Sequence, residues 1–413
     1  MKKISLLAMA LCMSATAFAQ TLKVHSGAVT VAVPVAKAGD MIYGAGGTDL
    51  TIMGRTYAVS AIDSITVDNS VVADSSVVVT YKNAAAHVLL SGDIAPKMAV
   101  TVNGADVSAV AALDLLSEVK YILTGQSADG SFFMDGKYKA RLTLDNLHLT
   151  NKDGVAIDIA NGKRIDVVLP TGTTSELADG AGGLHKACFF VNGHPEFGGG
   201  GTLLLSGNSK HAFASDEYTR IKPSFGKLKV VKAVGDGMHI GQYFLQQGGF
   251  IDIANTLGDC VDVSFTKVPT DLNNGMVFIE GGKLKMLVGA DDTKGLKSDS
   301  TMTISGGQIE AGVVGLGTKG ISVRGDLLVQ QKTATPTLIN MAVTGTTYMP
   351  GDLVLESKCR GIKGKGNFVF DGGKISIAAT GVKSKAVTVD GVFTFKQGIY
   401  DCAIEDINGV YIQ

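Results

Sequence analysis

A triplet of charged, small and apolar residue returns along this chain at a spacing too short for a helix between successive strands. No other feature constrains the fold as much. The triplets are Asp153-Gly154-Val155, Lys186-Ala187-Cys188, His211-Ala212-Phe213, Asp236-Gly237-Met238, Asp259-Cys260-Val261, Lys294-Gly295-Leu296, Lys319-Gly320-Ile321, Arg360-Gly361-Ile362 and Lys385-Ala386-Val387. Their middle residues lie 33, 25, 25, 23, 35, 25, 41 and 25 positions apart, so the unit is 25 and the three longer spacings carry an inserted loop. A second marker, a glycine turn before an apolar strand, appears at Gly200-Gly201-Thr202-Leu203, Gly248-Gly249-Phe250-Ile251, Gly281-Gly282-Lys283-Leu284, Gly306-Gly307-Gln308-Ile309 and Gly372-Gly373-Lys374-Ile375. A unit of this length holds two or three short strands and no crossover helix.

The arrangement left open is an all-β parallel β-helix of about nine coils, each stacked on the last at roughly 4.8 Å. Equivalent residues then form ladders along the axis. Val155, Cys188, Phe213, Met238, Val261, Leu296, Ile321, Ile362 and Val387 are expected to point inward. Asp158, Asp216, Asp299, Arg324, Lys365 and Asp390, three positions further on, are expected outside. Composition agrees: 53 Gly, only 8 Pro and 6% aromatic residues suit many short strands with tight turns.

Residues 1–19 read as a secretory signal peptide, with Lys2 and Lys3 before an apolar core and Ala17-Phe18-Ala19 before Gln20. Cys12 follows the bulky Leu11, where a lipidation signal places a small residue. No later stretch is long and apolar enough to span a membrane. Once Lys2 and Lys3 are removed from the 37 Lys and Arg, the 38 Asp and Glu are in slight excess, which argues against a nucleic-acid partner. The mature chain is expected to be exported and monomeric, in the periplasm, at the cell surface or secreted. Its four cysteines, Cys188, Cys260, Cys359 and Cys402, are expected to be mostly free. Cys260 and Cys359 sit three coils apart, or roughly 14 Å, beyond the ~7 Å that a disulfide spans.

Residues 20–118 lack the 25-residue spacing and read as a small β-rich capping unit, with strands expected at 29–35, 49–53, 60–67, 77–82, 87–90 and 98–102 and a capping helix over 107–116. Residues 119–413 form the β-helix.

Chemistry-bearing motifs are sparse. Gly315-Leu316-Gly317-Thr318-Lys319-Gly320 matches a dinucleotide-binding pattern but belongs to the repeat, with no helix pattern after it. There is no H-E-x-x-H, no C-x-x-C and no G-x-S-x-G. More informative is the charged position of the triplet, which changes sign along the axis: Asp236 and Asp259, then Lys294, Lys319, Arg360 and Lys385. Asp262, Asp291 and Asp292 enlarge the acidic end and could supply the oxygen ligands that Ca²⁺ takes. Lys297 and Lys363 enlarge the basic end. Stacked cations repel one another and make most sense under an anionic polymer; the alternative is a solvated charged face that blocks lateral aggregation. Trp is absent, leaving Tyr218, Phe225, Tyr243 and Phe244 as stacking faces.

Several runs resemble the A-x-D-G-I-K-S-x-D … I-x-G-G coils of the bacterial carbohydrate-binding β-helix family related to pectate lyases. They are Ser206-Gly207-Asn208, Ala233-Val234-Gly235-Asp236-Gly237, Gly295-Leu296-Lys297-Ser298-Asp299 and Ile304-Ser305-Gly306-Gly307. The N-terminal unit resembles leader segments seen in exported Bacteroidetes members. The resemblance implies a right-handed helix, calcium at turn aspartates such as Asp236, Asp259 and Asp299, and affinity for polymers such as polygalacturonate without cleavage. Lys294, Lys319 and Arg360 replace the aspartate of the D-G-I signature, which puts calcium in those coils in doubt and leaves direct contact with uronate carboxylates. Non-catalytic binding of an anionic polysaccharide through Lys294, Lys297, Lys319, Arg360 and Lys363 is therefore the leading expectation. Its rivals are a calcium-dependent lyase, for which Asp259, Asp262, Asp291 and Asp292 with Lys294 is the constellation, and a structural adhesin.

Overall fold

The computed structural model describes residues 20–406, apart from 40, 112–114, 184, 186, 333 and 346–356, and also 411–412. Residues 1–19, read above as a signal peptide, lie outside the described residues with Cys12, as does most of the insertion between residues 343 and 359. The described chain is all-β, without an α-helix, and no helix among these residues is long and apolar enough to cross a membrane.

Three stacks of short strands run along the axis. One comprises Arg164–Val168, His194–Gly198, Thr219–Ile221, Tyr243–Gln246, Met276–Ile279, Met302–Ile304 and Leu327–Gln330. A second comprises Thr174–Ala178, Thr202–Gly207, Lys227–Ala233, Phe250–Ile253, Lys283–Val288, Gly307–Val313 and Thr337–Val343. The long strands Ala140–Thr150 and Phe368–Ala379 each belong to both, so these two stacks join into one 23-stranded sheet. The third stack, a separate 14-stranded sheet, carries the charged triplets; its central strands are Ala187–Val191, His211–Ser215, Met238–Ile240, Val261–Val263, Lys294–Ser298, Lys319–Val323, Arg360–Gly364 and Lys385–Val389. The strands named in each stack pair in parallel with their counterparts one coil later, so the body is a parallel β-solenoid, and each end of the third sheet carries one antiparallel pair. The glycine markers open second-stack strands, as expected.

The apolar ladder of the third sheet runs Ile157, Phe189, Phe213, Met238, Val261, Leu296, Ile321, Ile362, Val387, Ile404. Seven expected members are in register; Val155 and Cys188 are not. In those two coils a run of small and apolar residues, Val155-Ala156-Ile157 and Ala187-Cys188-Phe189, matches the triplet one or two positions early. Val155 packs instead in a small cluster with Ala187, Phe190 and Ala214. The inward aromatic rings interlock edge to face, Phe189 with Phe213 at 5.6 Å and Phe197 with Phe213 at 5.3 Å between centroids. The core is continuous from Leu22 to Ile404. Cys188, Cys260 and Cys359 are buried and unpaired, and Cys402 is half-buried.

Before the solenoid, the expected strands appear at Val29–Pro34, Asp49–Ile52, Ser64–Asp68, Ser76–Lys82, Ala85–Ser91 and Met98–Asn103, joined by Thr21–Ser26 and Arg55–Ala58. The helix expected over 107–116 is a strand instead, Asp106–Ala111, antiparallel to Met98–Asn103 and parallel to Ser131–Asp135. Its apolar residues alternate, with Val107 and Ala109 buried, and the neighbouring edge supplies hydrogen bonds that outweigh local helix propensity.

The small position of the triplet has a steric cause. At Gly295, Gly320 and Gly361 the chain turns into the third sheet so tightly that a Cβ would lie 2.4, 2.7 and 2.6 Å from the carbonyl oxygen of the equivalent residue one coil later. Replacing Gly320 by Val is expected to lower the unfolding free energy by about 1–3 kcal/mol through overpacking. Gly289→Ala, where nothing lies within 4 Å of the added carbon, should stay within about 0.5 kcal/mol of the parent. Urea unfolding of the two variants provides the comparison.

Candidate functional site

In-register stacking converts a sequence position into a row on the surface. Immediately after the inward ladder of the third sheet comes an outward row, Phe190, Ala214, His239, Asp262, Lys297, Ser322, Lys363, Thr388 and Glu405. Two positions earlier, where the chain enters the strand, lies a parallel row of which Lys294, Lys319, Arg360 and Lys385 are direct register partners. The two rows carry Asp262, Lys297 and Lys363, and Lys294, Lys319 and Arg360; Asp291, Asp292 and Asp299 lie off them.

The acidic residues are held by cations rather than gathered together. Asp236 Oδ2 lies 3.2 Å from His211 Nδ1 and 3.0 Å from His239 Nδ1, while its Oδ1 accepts the Asp259 backbone N–H at 2.8 Å. Asp262 lies 3.1 Å from His239 Nδ1 and 2.6 Å from Lys297 Nζ. Asp299 is 3.6 Å from Lys297 and 3.5 Å from Arg324. Asp259 accepts the backbone N–H of Lys294 at 2.8 Å, with that residue's Nζ at 3.9 Å. Asp291 and Asp292 are exposed in the preceding turn, where Asp291 accepts the Leu316 N–H at 2.8 Å. The six aspartates therefore do not converge on one oxygen cage among the described residues. Electrostatics follow this pairing. Burial raises the Asp259 pKa. Burial acts the same way on Asp262, but hydrogen bonds from His239 and Lys297 outweigh it and lower the carboxyl. Hydrogen bonds to Asp236 and Asp262 push His239 up to about 9.

At the basic end Lys319, Arg360, Lys363 and Lys385, with Lys358, Thr388, Asp390 and Glu405, line an open cavity of about 460 Å³. Lys363 pairs with Asp390, and Lys385 with Glu405. Lys319 and Arg360 differ: among the described residues, Lys319 Nζ donates to the Gly317 carbonyl at 3.1 Å and Arg360 donates to the Cys359 and Lys383 carbonyls at 2.8 and 3.1 Å. Burial, followed by the charges of Lys294 and Arg360, lowers the Lys319 pKa. The structure thus brings Lys319, Arg360 and Lys363 together and adds Lys385 to them, while Lys297 is committed to Asp262.

The expected aromatic faces fare unevenly. Phe225 and Phe244 are core residues, because each points inward from its turn or strand. Tyr218 and Tyr243 lie on the surface of the first stack but cover one another, with centroids 4.7 Å apart, and His194 stacks on the other face of Tyr218 at 4.7 Å. The glycine motif at Gly315–Gly320 is the turn into Lys319–Val323. His211 escaped motif searching because its partner Asp236 is adjacent through the coil period, the signal being that the two share a repeat position, whereas His239 lies only three residues after Asp236.

Together these features define a β-solenoid with a charged, axially ordered face on its third sheet. Residues 109–406 match the model of the carbohydrate-binding domain-containing protein family, and the chain belongs to that family. A solved structure described as the polysaccharide lyase-like protein from C. thermocellum, in a gadolinium derivative, is similar in fold. Its TM-score is 0.51 at 20% identity, over 64% of this chain and 99% of that one. Comparison with curated proteins finds no match.

Asp262, with a side chain 10% exposed, sits between His239 and Lys297. Asp262→Asn is expected to cost about 1–3 kcal/mol of stability at neutral pH, because two partly buried cations lose their shared anion. Chemical denaturation of the variant beside the parent measures this.

Proposed function

We propose that the chain is an exported, monomeric, non-catalytic binding protein for an anionic polysaccharide of the polygalacturonate type. The polymer lies along the third sheet across Lys294, Lys319, Arg360 and Lys363, with Lys297 at its acidic end. Membership of a carbohydrate-binding family supports the ligand class. The observation that carries the sign of the ligand is the pairing of Lys319 with Arg360, two cations in direct register that donate only to carbonyls among the described residues. Their mutual repulsion is relieved when a carboxylate bridges them, and Arg360 can present a planar fork to it. Successive coils offer successive cations, so several weak contacts add up along one polymer.

Calcium enters this reading as a bridge between the exposed Asp291 and Asp292 and a uronate carboxylate. It contributes where the coil presents acids instead of lysines. If that bridge operates, retention falls in a chelator for the parent and not for Asp291→Asn with Asp292→Asn.

Replacing Lys319 and Arg360 together by Ala is expected to weaken retention on a polygalacturonate gel at least about tenfold, the equivalent of ~1.4 kcal/mol. Retention should also decline as salt rises from low to physiological strength. Unchanged retention in the double variant would sink the assignment, and an absorbance rise from unsaturated product would make the protein a lyase.

A pH dependence follows from the lowered Lys319 pKa. Only the charged amine holds the anion, and burial, followed by the charges of Lys294 and Arg360, makes it lose its proton below the usual 10.5. Affinity should therefore be full well below that value and fall as pH rises through the lowered pKa. Lys319→Arg should move the fall to higher pH, since guanidinium keeps its charge.

A further inference from the structure

We propose that His211, Asp236 and His239 form a binding site for a divalent transition-metal ion of the zinc type. The site lies on the third sheet's outward row one coil before Asp262, and it does not depend on the glycan reading. His211 opens the strand His211–Ser215, Asp236 precedes Met238–Ile240 and His239 is the central residue of that strand, so two consecutive coils bring the three side chains together. One ligand atom from each lies within 4.8 Å of the other two.

Two observations point to an ion. The first is spacing. Atoms bonded to one tetrahedral zinc at ~2.0–2.1 Å sit roughly 3.3 Å apart. Asp236 Oδ2 lies 3.2 Å from His211 Nδ1 and 3.0 Å from His239 Nδ1, close to two edges of such a polyhedron. The second is a shortage of protons. His239 Nδ1 faces carboxylate oxygens of both Asp236 and Asp262, at 3.0 and 3.1 Å, and a ring nitrogen carries one proton for the two. His211 Nδ1 faces the same Asp236 oxygen while also lying 3.1 Å from the Asp236 backbone N–H, so neither tautomer satisfies both contacts. A cation shared by the electron-rich atoms takes the place of the missing proton between Asp236 and the two rings. It competes with the Asp236 N–H for the His211 lone pair, which makes His211 the weakest of the three ligands.

The donor set selects the metal. Two imidazoles and one carboxylate suit zinc and its neighbours, whereas calcium takes oxygen ligands. His211 is buried, and His239, with a side chain 38% exposed, leaves an entry path. Three protein ligands leave a coordination position for water. Asp262, in turn anchored by Lys297, fixes the His239 ring from outside the set.

The test is titration of the mature full-length chain, stripped with a chelator, with Zn²⁺ against a chromophoric chelator, alongside Co²⁺ titration followed by visible absorption. One equivalent of Zn²⁺ and a Co²⁺ spectrum of tetrahedral nitrogen–oxygen coordination are expected. Asp236→Asn and His239→Gln should each weaken binding by more than the roughly 10–100-fold that outer-shell substitutions cost, His211→Gln should weaken it less than either, and His185→Ala should keep the equivalent. Circular dichroism and the Tm in chelator establish that each variant is folded; if Asp236→Asn does not fold, His239→Gln decides. No stoichiometric binding by the parent, one equivalent retained in folded His239→Gln, or a preference for Ca²⁺ over Zn²⁺ would each overturn the proposal.

Discussion

Everything in this molecule rests on the parallel register between one coil and the next. Three stacks of short strands, none long enough to be stable alone, are held by backbone hydrogen bonds to equivalent strands above and below. The register is fixed where the chain enters the third sheet, because the peptide there lies against the next coil with no room for a branched side chain. At Gly295, Gly320 and Gly361 the added Cβ of a larger residue would overlap a carbonyl oxygen. A one-residue slip would bring the charged and apolar neighbours of these glycines into the same space and turn the buried ladder outward.

The same register makes surface chemistry a one-dimensional property. A residue acquires neighbours from residues one period away, whatever its neighbours in sequence. Asp236 is joined by His211 from the coil before, Asp262 is bracketed by His239 and Lys297, and Lys319 by Lys294 and Arg360. Where the sign alternates from coil to coil the rows are self-neutralising. Where it does not, as at Lys319 and Arg360, the fold keeps like charges together that a freely folding loop would separate. That persistence of like charge sets this stretch apart from the self-neutralising rows beside it.

The solenoid was legible because its evidence is repeated: seven of the expected ladder members, from Phe213 to Val387, are in register. The two misplaced positions, Val155 and Cys188, belong to coils where small and apolar residues run together and the pattern matches at more than one offset. The strand Asp106–Ala111 was hidden for a different reason. Taken alone its composition suits a helix, and only the open edges of Met98–Asn103 and Ser131–Asp135 make it extended. Of the candidate site, the basic row was readable from the period. The capture of Asp262 and Asp299 by Lys297 was not, since it depends on rotamers at neighbouring rows. Phe225 and Phe244 were misjudged as surface rings because aromatic character says nothing about which side of a strand it occupies.

The unequal coil lengths have a consequence for how such a chain changes over generations. The spacing between triplets varies from 23 to 41 residues while the ladder stays in register. Lengthening a loop whose ends are already fixed costs little, roughly 0.6 kcal/mol per doubling. After Val263 the extra residues fold back on themselves, with Asn274 bonded to Thr266 and Val268, and return the chain to its stack at Met276. Corners are thus open to growth and strands are closed to it. New segments can accumulate beside the charged face, one coil at a time, without renegotiating the core beneath.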